Sequence, residues 1–298
     1  MIKKNKKPSF FVVGMQKSGT TTLHKWLDSH PEITLPNYKE THFFSDEKKF
    51  SKGFKWYLNN FKIKKTSKLI GEVDPSYIFI DSALEKIKTI IDNPKFVILI
   101  RNPLERSYSH YCMNIYKGYE KFSFSKALEL ESKRLKRGEN EFRNFSYLAR
   151  SNYSYLIKRL IKKFPQSEIL YIKFEDITKT ENQEDAYARI CSFLNVENKK
   201  NVNLSLPYNV KKTFKSRYLR DFLFGESKLK TIFKKIIPYN YHYLLKRTIE
   251  KFNTKKIKNN NTDVLKKISK KYLNESNNET LKLMKITKLN LNDWIYDL

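Results

Sequence analysis

At 298 residues the chain sits at the upper end of a single domain, or could hold two small ones, and 40% hydrophobic residues with 19 Tyr and 21 Phe supply the apolar mass for a core. Only 7 Gly and 9 Pro, and no long biased tract, exclude a wholesale disordered or fibrous chain. The balance of 60 Lys plus Arg against 31 Asp plus Glu, a formal +29, points to anionic partners but does not choose among nucleic acid, acidic lipid, acidic polysaccharide and a phosphorylated cofactor.

The N-terminus, Met1–Lys7, is basic but leads into an apolar run of only five residues, Phe10–Gly14. That run is too short for a secretory core, and no stretch approaches eighteen apolar residues, so a soluble, cytoplasmic protein is expected. Ser9–Gly14 reads as a buried strand, Met15–Thr21 as a loop and Thr22–Ser29 as a helix closed by His30-Pro31. Leu69–Glu72 is a second strand and Leu84–Ile91 a helix. Phe96–Ile100 is a continuous apolar run of the kind a strand buried on both faces shows. Pro103 suits the first turn of a helix over Leu104–Tyr116. Ser125–Arg137 and Tyr147–Phe164 are amphipathic helices, Ile169–Phe174 another buried strand and Ala186–Leu194 a helix. Strands alternating with helices predict an α/β fold, a P-loop-like central parallel sheet flanked by helices.

From residue 199 on the pattern loosens, and 24 basic residues face 8 acidic ones, more than half of the chain's excess charge. Lys199–Arg217 reads as an extended loop, Ser227–Phe252 as basic, aromatic and helical, and Thr254–Asn261 as a polar connector. Val264–Tyr272 and Glu279–Lys285 read as closing helices. No repeat and no sharp boundary divides the chain. The expectation is one domain over residues 1–298, with a basic helical region of about 199–298 packed on it. Cys112 and Cys191 have no metal-ligand spacing and suggest no disulfide framework.

The segment Gly14-Met15-Gln16-Lys17-Ser18-Gly19-Thr20-Thr21-Thr22 joins a strand to a helix. Such a turn offers backbone N–H groups and the positive end of a helix dipole, an anion cradle. Ser18, Thr20, Thr21 and Thr22 add hydroxyls and Lys17 a full charge. The plain alternative is a glycine turn capped by Ser or Thr. A Walker loop is excluded, because Lys17 precedes Gly19 instead of following it, and Phe96–Ile100 runs into Arg101 where a metal-binding Asp would stand. Arg101 emerges at the carboxyl edge of the sheet, where ligands of open α/β sheets sit. Its planar fork suits a phosphate, with Ser109 eight residues on as a further hydroxyl. Pairing with a carboxylate at the strand end is the competing role.

In order, the turn, Tyr38-Lys39-Glu40-Thr41-His42-Phe43-Phe44 and Phe96–His110 (FVILIRNPLERSYSH) resemble three motifs of the PAPS-dependent sulfotransferases, of the bacterial carbohydrate and heparan-sulfotransferase-like type. PAPS is 3′-phosphoadenosine 5′-phosphosulfate. Lys163-Phe164-Pro165, Ile169–Asp176 and Asn209–Leu219 (NVKKTFKSRYL) follow the same outline, so the resemblance runs from about residue 9 to Trp294. It implies PAPS as sulfuryl donor, bound at its 5′ end by Lys17, Ser18, Gly19, Thr20, Thr21 and Thr22 and at its 3′-phosphate by Arg101 and Ser109. Ser216 and Arg217 would lie in a closing loop with Lys211, Lys212 and Lys215, a run that could equally be solvated charge. Arg106 would brace its helix. The resemblance also implies Glu40 as the base that takes the acceptor's proton. His42 beside it could orient or relay, or be a structural edge residue before Phe-Phe, and because a sulfuryl group carries less charge than a γ-phosphoryl no essential metal is expected. The acceptor would be a hydroxyl or amine, with a carbohydrate fitting best.

The sequence departs from the heparan-type pattern twice. Ser45 then Asp46 stand where an Asp follows Phe-Phe, and Glu72-Val73-Asp74-Pro75 replaces Glu-Lys-Thr-Pro, which removes a substrate-side lysine and points away from heparan itself. Asp74 and Tyr77 are candidate acceptor contacts. A different class of reading is a basic nucleic-acid-binding protein whose phosphate-type loop is only structural. It rests on the +29 charge and on aromatic residues among basic ones in Tyr239–Arg247. No recognised nucleic-acid motif supports it, so no specific nucleic acid is expected. The basic C-terminal region could instead meet an acidic glycan or a membrane surface.

Overall fold

The alternation of buried side chains in Phe10–Gly14 sets the architecture. Phe10 and Val12 point to one face of the sheet and Phe11 and Val13 to the other, and all four are at most 1% exposed. A strand apolar on both faces needs helices on both sides. The computed structural model describes residues 7–199, 202–204, 212–216, 218, 220, 224, 254–256, 264–265 and 267–298. In it, β1 (Phe10–Gly14), β2 (Ile33–Thr34), β3 (Leu69–Val73), β4 (Lys95–Ile100) and β5 (Ile169–Lys173) form a parallel sheet in the order β2-β3-β1-β4-β5. This is the α/β parallel-sheet fold expected from the sequence.

One layer is built by α1 (Thr20–Ser29) and α10 (Thr180–Leu194), whose Leu23, Trp26, Leu27, Ala186 and Ile190 pack on Phe10, Val12, Val97 and Leu99. The opposite face carries α4 (Asp81–Ile90) and α8 (Tyr153–Lys163), and Phe11 lies against Phe96, which meets Phe164 edge-on at 4.9 Å. The remaining α-helices before residue 179 are α2 (Glu47–Phe50), α3 (Phe54–Leu58), α5 (Pro103–Lys117), α6 (Phe124–Leu135), α7 (Glu139–Phe145) and α9 (Phe174–Thr178). After β5 come β6 (Lys212–Phe214), β7 (Thr254–Lys256) and α11 (Lys270–Thr287).

The chain folds as two compact units. The first comprises residues 1–106, 150–208 and 274–298 and contains the sheet. The second comprises residues 107–149 and 209–273. Inside the second, Glu120 is buried in a two-pronged ion pair with Arg134 at 2.5 and 3.1 Å and accepts from the Tyr147 hydroxyl at 2.9 Å. That pairing holds the Glu120 carboxyl below its usual range although burial works the other way. No helix among the described residues is long and apolar enough to cross a membrane.

Three local expectations are corrected. The helix expected from Tyr147 starts at Tyr153, because the amides of Leu148 and Ala149 donate to Glu131 at 2.7 and 2.8 Å and hold that stretch as a turn. Part of the expected connector after residue 253 is β7, paired antiparallel with β6, a partner some forty residues away that no local pattern shows. The second closing helix is longer than expected: α11 starts at Lys270 and takes in the end of the first, whose Val264–Leu265 are helical but separated from it by the non-helical residues 267–269. Its polar middle is not a break but a buried bonded face, in which Glu279 accepts from the Ser154 amide at 2.5 Å and Asn277 exchanges bonds with Tyr296 at 2.8 Å. The helix expected over 227–252 lies outside the described residues.

Candidate active site

Strand order reverses direction at β1, with β3 on one side and β4 on the other, and this switch leaves a crevice at the carboxyl ends of the central strands. The turn after β1 opens into it. Lys17 and Gly19 both take positive φ, 72° and 91°, which bends the chain into a concave run of amides before α1. Gly19 is required twice over, because a Cβ there would also lie 2.3 Å from Ile177 Cδ1. The helix start has no side-chain cap and no acidic residue in its first turn, so its leading N–H groups remain available to an anion. Ser18 Oγ is buried beside the Tyr153 hydroxyl, which is itself given to the Arg101 carbonyl at 3.0 Å. These features fit a phosphate or phosphosulfate group.

The hydroxyls expected there diverge, since a helix turns about 100° per residue. Thr22 is buried and Thr21 exposed, while Thr20 Oγ1 lies 3.4 Å from Lys39 Nζ. What Gly19, Thr20 and Thr21 share is the first turn's backbone. Arg106 is fully buried, with Nε 2.6 Å from Ser151 Oγ and Nη1 3.5 Å from the Gln16 carbonyl, so it braces α5 against the turn.

Arg101 directly follows β4, the strand beside β1. It is 5% exposed, stacks 4.2 Å from the centre of the Phe174 ring and pairs with Glu105 one helical turn on, at 2.9 Å. The expected position at the sheet edge and the competing carboxylate pairing therefore both occur. An incoming phosphate would share the guanidinium with Glu105. Glu175 is the third charged group here, and burial, with Glu105 and Asp293 nearby, raises its pKa. Ser109 sits on α5, partly buried, and belongs to the second unit. Ser216 follows β6 and accepts from the Arg220 amide through its carbonyl, whereas Lys211 and Arg217 lie outside the described residues.

The third component is the segment 38–46, held from below by two buried carboxylates. Phe43 and Phe44 are fully buried in an aromatic cluster with Tyr57 and Tyr77, with ring centres 4.6 Å apart for Phe43–Tyr57 and 5.5 Å for Phe44–Tyr77. Glu72 accepts from the Thr41 amide at 3.1 Å, from the Thr41 hydroxyl, and from Tyr57 and Tyr77 at 2.7 and 3.0 Å. Burial, reinforced by Asp74, pushes its pKa up to about 7 despite those bonds. Asp74 is 0% exposed, with Oδ2 3.0 Å from the His42 amide and 2.8 Å from His42 Nδ1. Thus anchored, Glu40 stands partly exposed, with Oε1 2.8 Å from Lys39 Nζ and Oε2 3.6 Å from His42 Nε2. Through Lys39 and Thr20 the segment meets the phosphate turn.

Asp74 and Tyr77 are therefore not acceptor contacts, because both are fully buried beneath the loop. Asp46 accepts from the Lys49 amide at 3.2 Å and caps α2. The carboxylate under Thr41 was the role missed from sequence. A charged residue inside the apolar strand Leu69–Val73 was its signal. Glu40, His42 and Asp74 also bring one potential ligand atom each within 4.8 Å of one another, a spacing a metal ion could use.

An amide-lined turn at the switch point of a parallel sheet defines an anion-binding α/β protein of the mononucleotide-binding class. Within that class the sequence matches the sulfotransferase domain over residues 7–285, and the chain belongs to that family. Among solved structures, a sulfotransferase from Alicyclobacillus acidocaldarius shares the fold, with a TM-score of 0.64 at 20% identity over 97% of this chain and 99% of that one. The membrane-associated sulfotransferase kil1 of Dictyostelium discoideum is 37% identical over 111 residues, 36% of this chain and 23% of that protein. The mouse heparan sulfate glucosamine 3-O-sulfotransferase 5 is 28% identical over 104 residues, 35% of this chain and 30% of that protein. This chain thus spans less than a third of the length of these curated relatives.

Proposed function

We propose that this protein is a sulfotransferase that moves the sulfuryl group of PAPS onto a hydroxyl or amine of a carbohydrate acceptor. What supports the reading is an uncapped turn after β1, an arginine directly after the neighbouring strand β4, and a partly exposed carboxylate, Glu40, on a segment that touches that turn through Lys39 and Thr20. Relatives named for heparan sulfate support the acceptor class. PAPS supplies a sulfuryl group whose transfer leaves negative charge on a 5′-phosphate.

Each part of the site has work in that reaction. In this reading the turn's amides and Lys17 serve the end where charge develops, and such donors stabilise a transition state more than a ground state. Arg101 recognises the 3′-phosphate, in competition with Glu105. Glu40 takes the proton that the attacking oxygen or nitrogen must lose. His42, already engaged at Nδ1 by Asp74, is read as a proton-handling group and not a metal ligand, so no essential metal is proposed. The protein is taken as cytoplasmic, with its basic C-terminal region free to meet an acidic glycan or membrane surface. The nucleic-acid reading has in its favour the overall charge and the aromatic and basic run Tyr239–Arg247, which lies outside the described residues.

Titration calorimetry with the desulfonated bisphosphate (PAP) tests the reading. Saturable micromolar binding that survives treatment with EDTA is expected. No heat at millimolar PAP would refute the nucleotide site, and activity lost to EDTA and restored by Mg²⁺ would refute the metal-free mechanism.

A further inference from the structure

Asp74 stands where the heparan-type pattern has a threonine, and both of its carboxylate oxygens are held. Its Oδ1 accepts from the Ser76 amide at 2.9 Å, while Oδ2 accepts from the His42 amide at 3.0 Å and faces His42 Nδ1 at 2.8 Å. A carboxylate so bound is an acceptor on every side. It can hold only a ring nitrogen that bears a hydrogen. Nδ1 of His42 is therefore the protonated nitrogen, and Nε2 is the one left free to exchange. That nitrogen lies 3.6 Å from Glu40 Oε2, while the other Glu40 oxygen is held by Lys39. The backbone adds to the fixation, since His42 takes a positive φ of 55° that aims its ring across the gap between the two carboxylates.

We infer that Asp74 is a positioning residue that fixes the ring of His42 with Nε2 toward Glu40, so that the proton Glu40 takes from the acceptor passes on to His42 and out to solvent. This rests on Glu40 being the base. As the new bond to sulfur forms, the acceptor's O–H or N–H proton goes to Glu40 Oε2, and the electron pair of the broken S–O bond leaves with the nucleotide. The proton then moves to Nε2, which regenerates the Glu40 carboxylate and makes an imidazolium balanced by Asp74. The His42 side chain is 39% exposed against 0% for Asp74, so the ring is the link that reaches water. The 3.6 Å gap is of the kind that tightens when substrate is bound. A buried carboxylate that sets an imidazole's tautomer is a known route to efficient proton transfer.

The charged groups around the ring are Asp74, Glu40 and Lys49. Burial lowers the His42 pKa, but the Asp74 hydrogen bond and the charges of Asp74 and Glu40 outweigh it, so the pKa lies above the ordinary imidazole value. Only neutral His42 can receive a proton, so turnover should fall on the acid side of that raised pKa. Without Asp74 the acid limb moves to lower pH.

The test combines ring ¹⁵N spectroscopy of the five histidines, assigned with His42→Gln, with hydrolysis of ³⁵S-labelled PAPS in which water is the acceptor. The wild type should show His42 with hydrogen on Nδ1 when neutral. Asp74→Asn should move that hydrogen to Nε2, lower the titration midpoint and cut hydrolysis at least about tenfold, with PAP affinity unchanged within about twofold. An unaltered tautomer and midpoint, or equal hydrolysis, overturns the inference. Should Asp74→Asn not fold, His42→Gln decides, because glutamine can donate to Asp74 but cannot take a proton. A loss of about tenfold or more supports the relay, and full activity overturns it. Failure of the wild type to bind PAP would sink the sulfotransferase reading instead, while the spectra still report the Asp74–His42 pair.

Discussion

Replacing Glu72 by glutamine should flatten the pH dependence of the protein's stability. The carboxylate is 1% exposed and its pKa is pushed from 4.5 to about 7 by burial and by Asp74. Between those values the folded chain holds a proton that the unfolded chain releases. The stabilisation from this group is thus complete below about pH 4.5 and is lost as pH rises through about 7. The shift corresponds to roughly 3 kcal/mol across the window, at about 1.4 kcal/mol per pKa unit, with no solvent screening to reduce it. Glutamine preserves the shape of the site. Its oxygen can still accept from the Thr41 amide, and its NH₂ can donate to phenol oxygens that now accept. Urea unfolding at pH 5, 6, 7 and 8, followed by circular dichroism, should show the wild type losing stability as pH rises. The variant should change much less and gain relative to wild type above pH 7. Parallel curves for the two proteins would show that Glu72 keeps an ordinary carboxylate pKa, and the reasoning from burial would be wrong.

Other expectations follow from the same geometry. Glu40→Gln should leave PAP affinity near normal while turnover falls on the order of 10²–10⁴, and equal turnover would remove Glu40 from the chemistry. Arg101→Ala should weaken PAP far more than 5′-AMP in calorimetry, whereas equal losses would deny it the 3′-phosphate. Glu105→Gln should strengthen PAP binding, since the partner competing for Arg101 loses its charge, and weaker binding would count against a shared guanidinium. Gly19→Ala should cost about 1–3 kcal/mol in thermal unfolding, because it forces a positive φ on a side chain and drives Cβ into Ile177. An unchanged melting temperature would contradict the tightness of that turn.

The strands, the phosphate turn and the arginine after β4 were legible in the sequence for a local reason. Buried parallel strands are short apolar runs, and the residue after each emerges at the same edge, so chain order alone lines up Gly14–Thr22 with Arg101. The aromatic pair Phe43-Phe44 was legible only as part of a family-like motif around Glu40, and its burial against Tyr57 and Tyr77 appears in the fold. What stood beneath that segment was not legible. Glu72 and Asp74 lie some thirty residues from the loop they hold, and although a charge inside the apolar strand Leu69–Val73 marks Glu72 as buried, nothing local names the groups these carboxylates hold. The β6–β7 pairing and the buried polar face of α11 were hidden for the same reason, because their partners are distant in the chain. Sequence order fixed which groups could gather at the sheet's switch point. Packing across the chain decided which carboxylate faces solvent as a base and which are buried to hold it there.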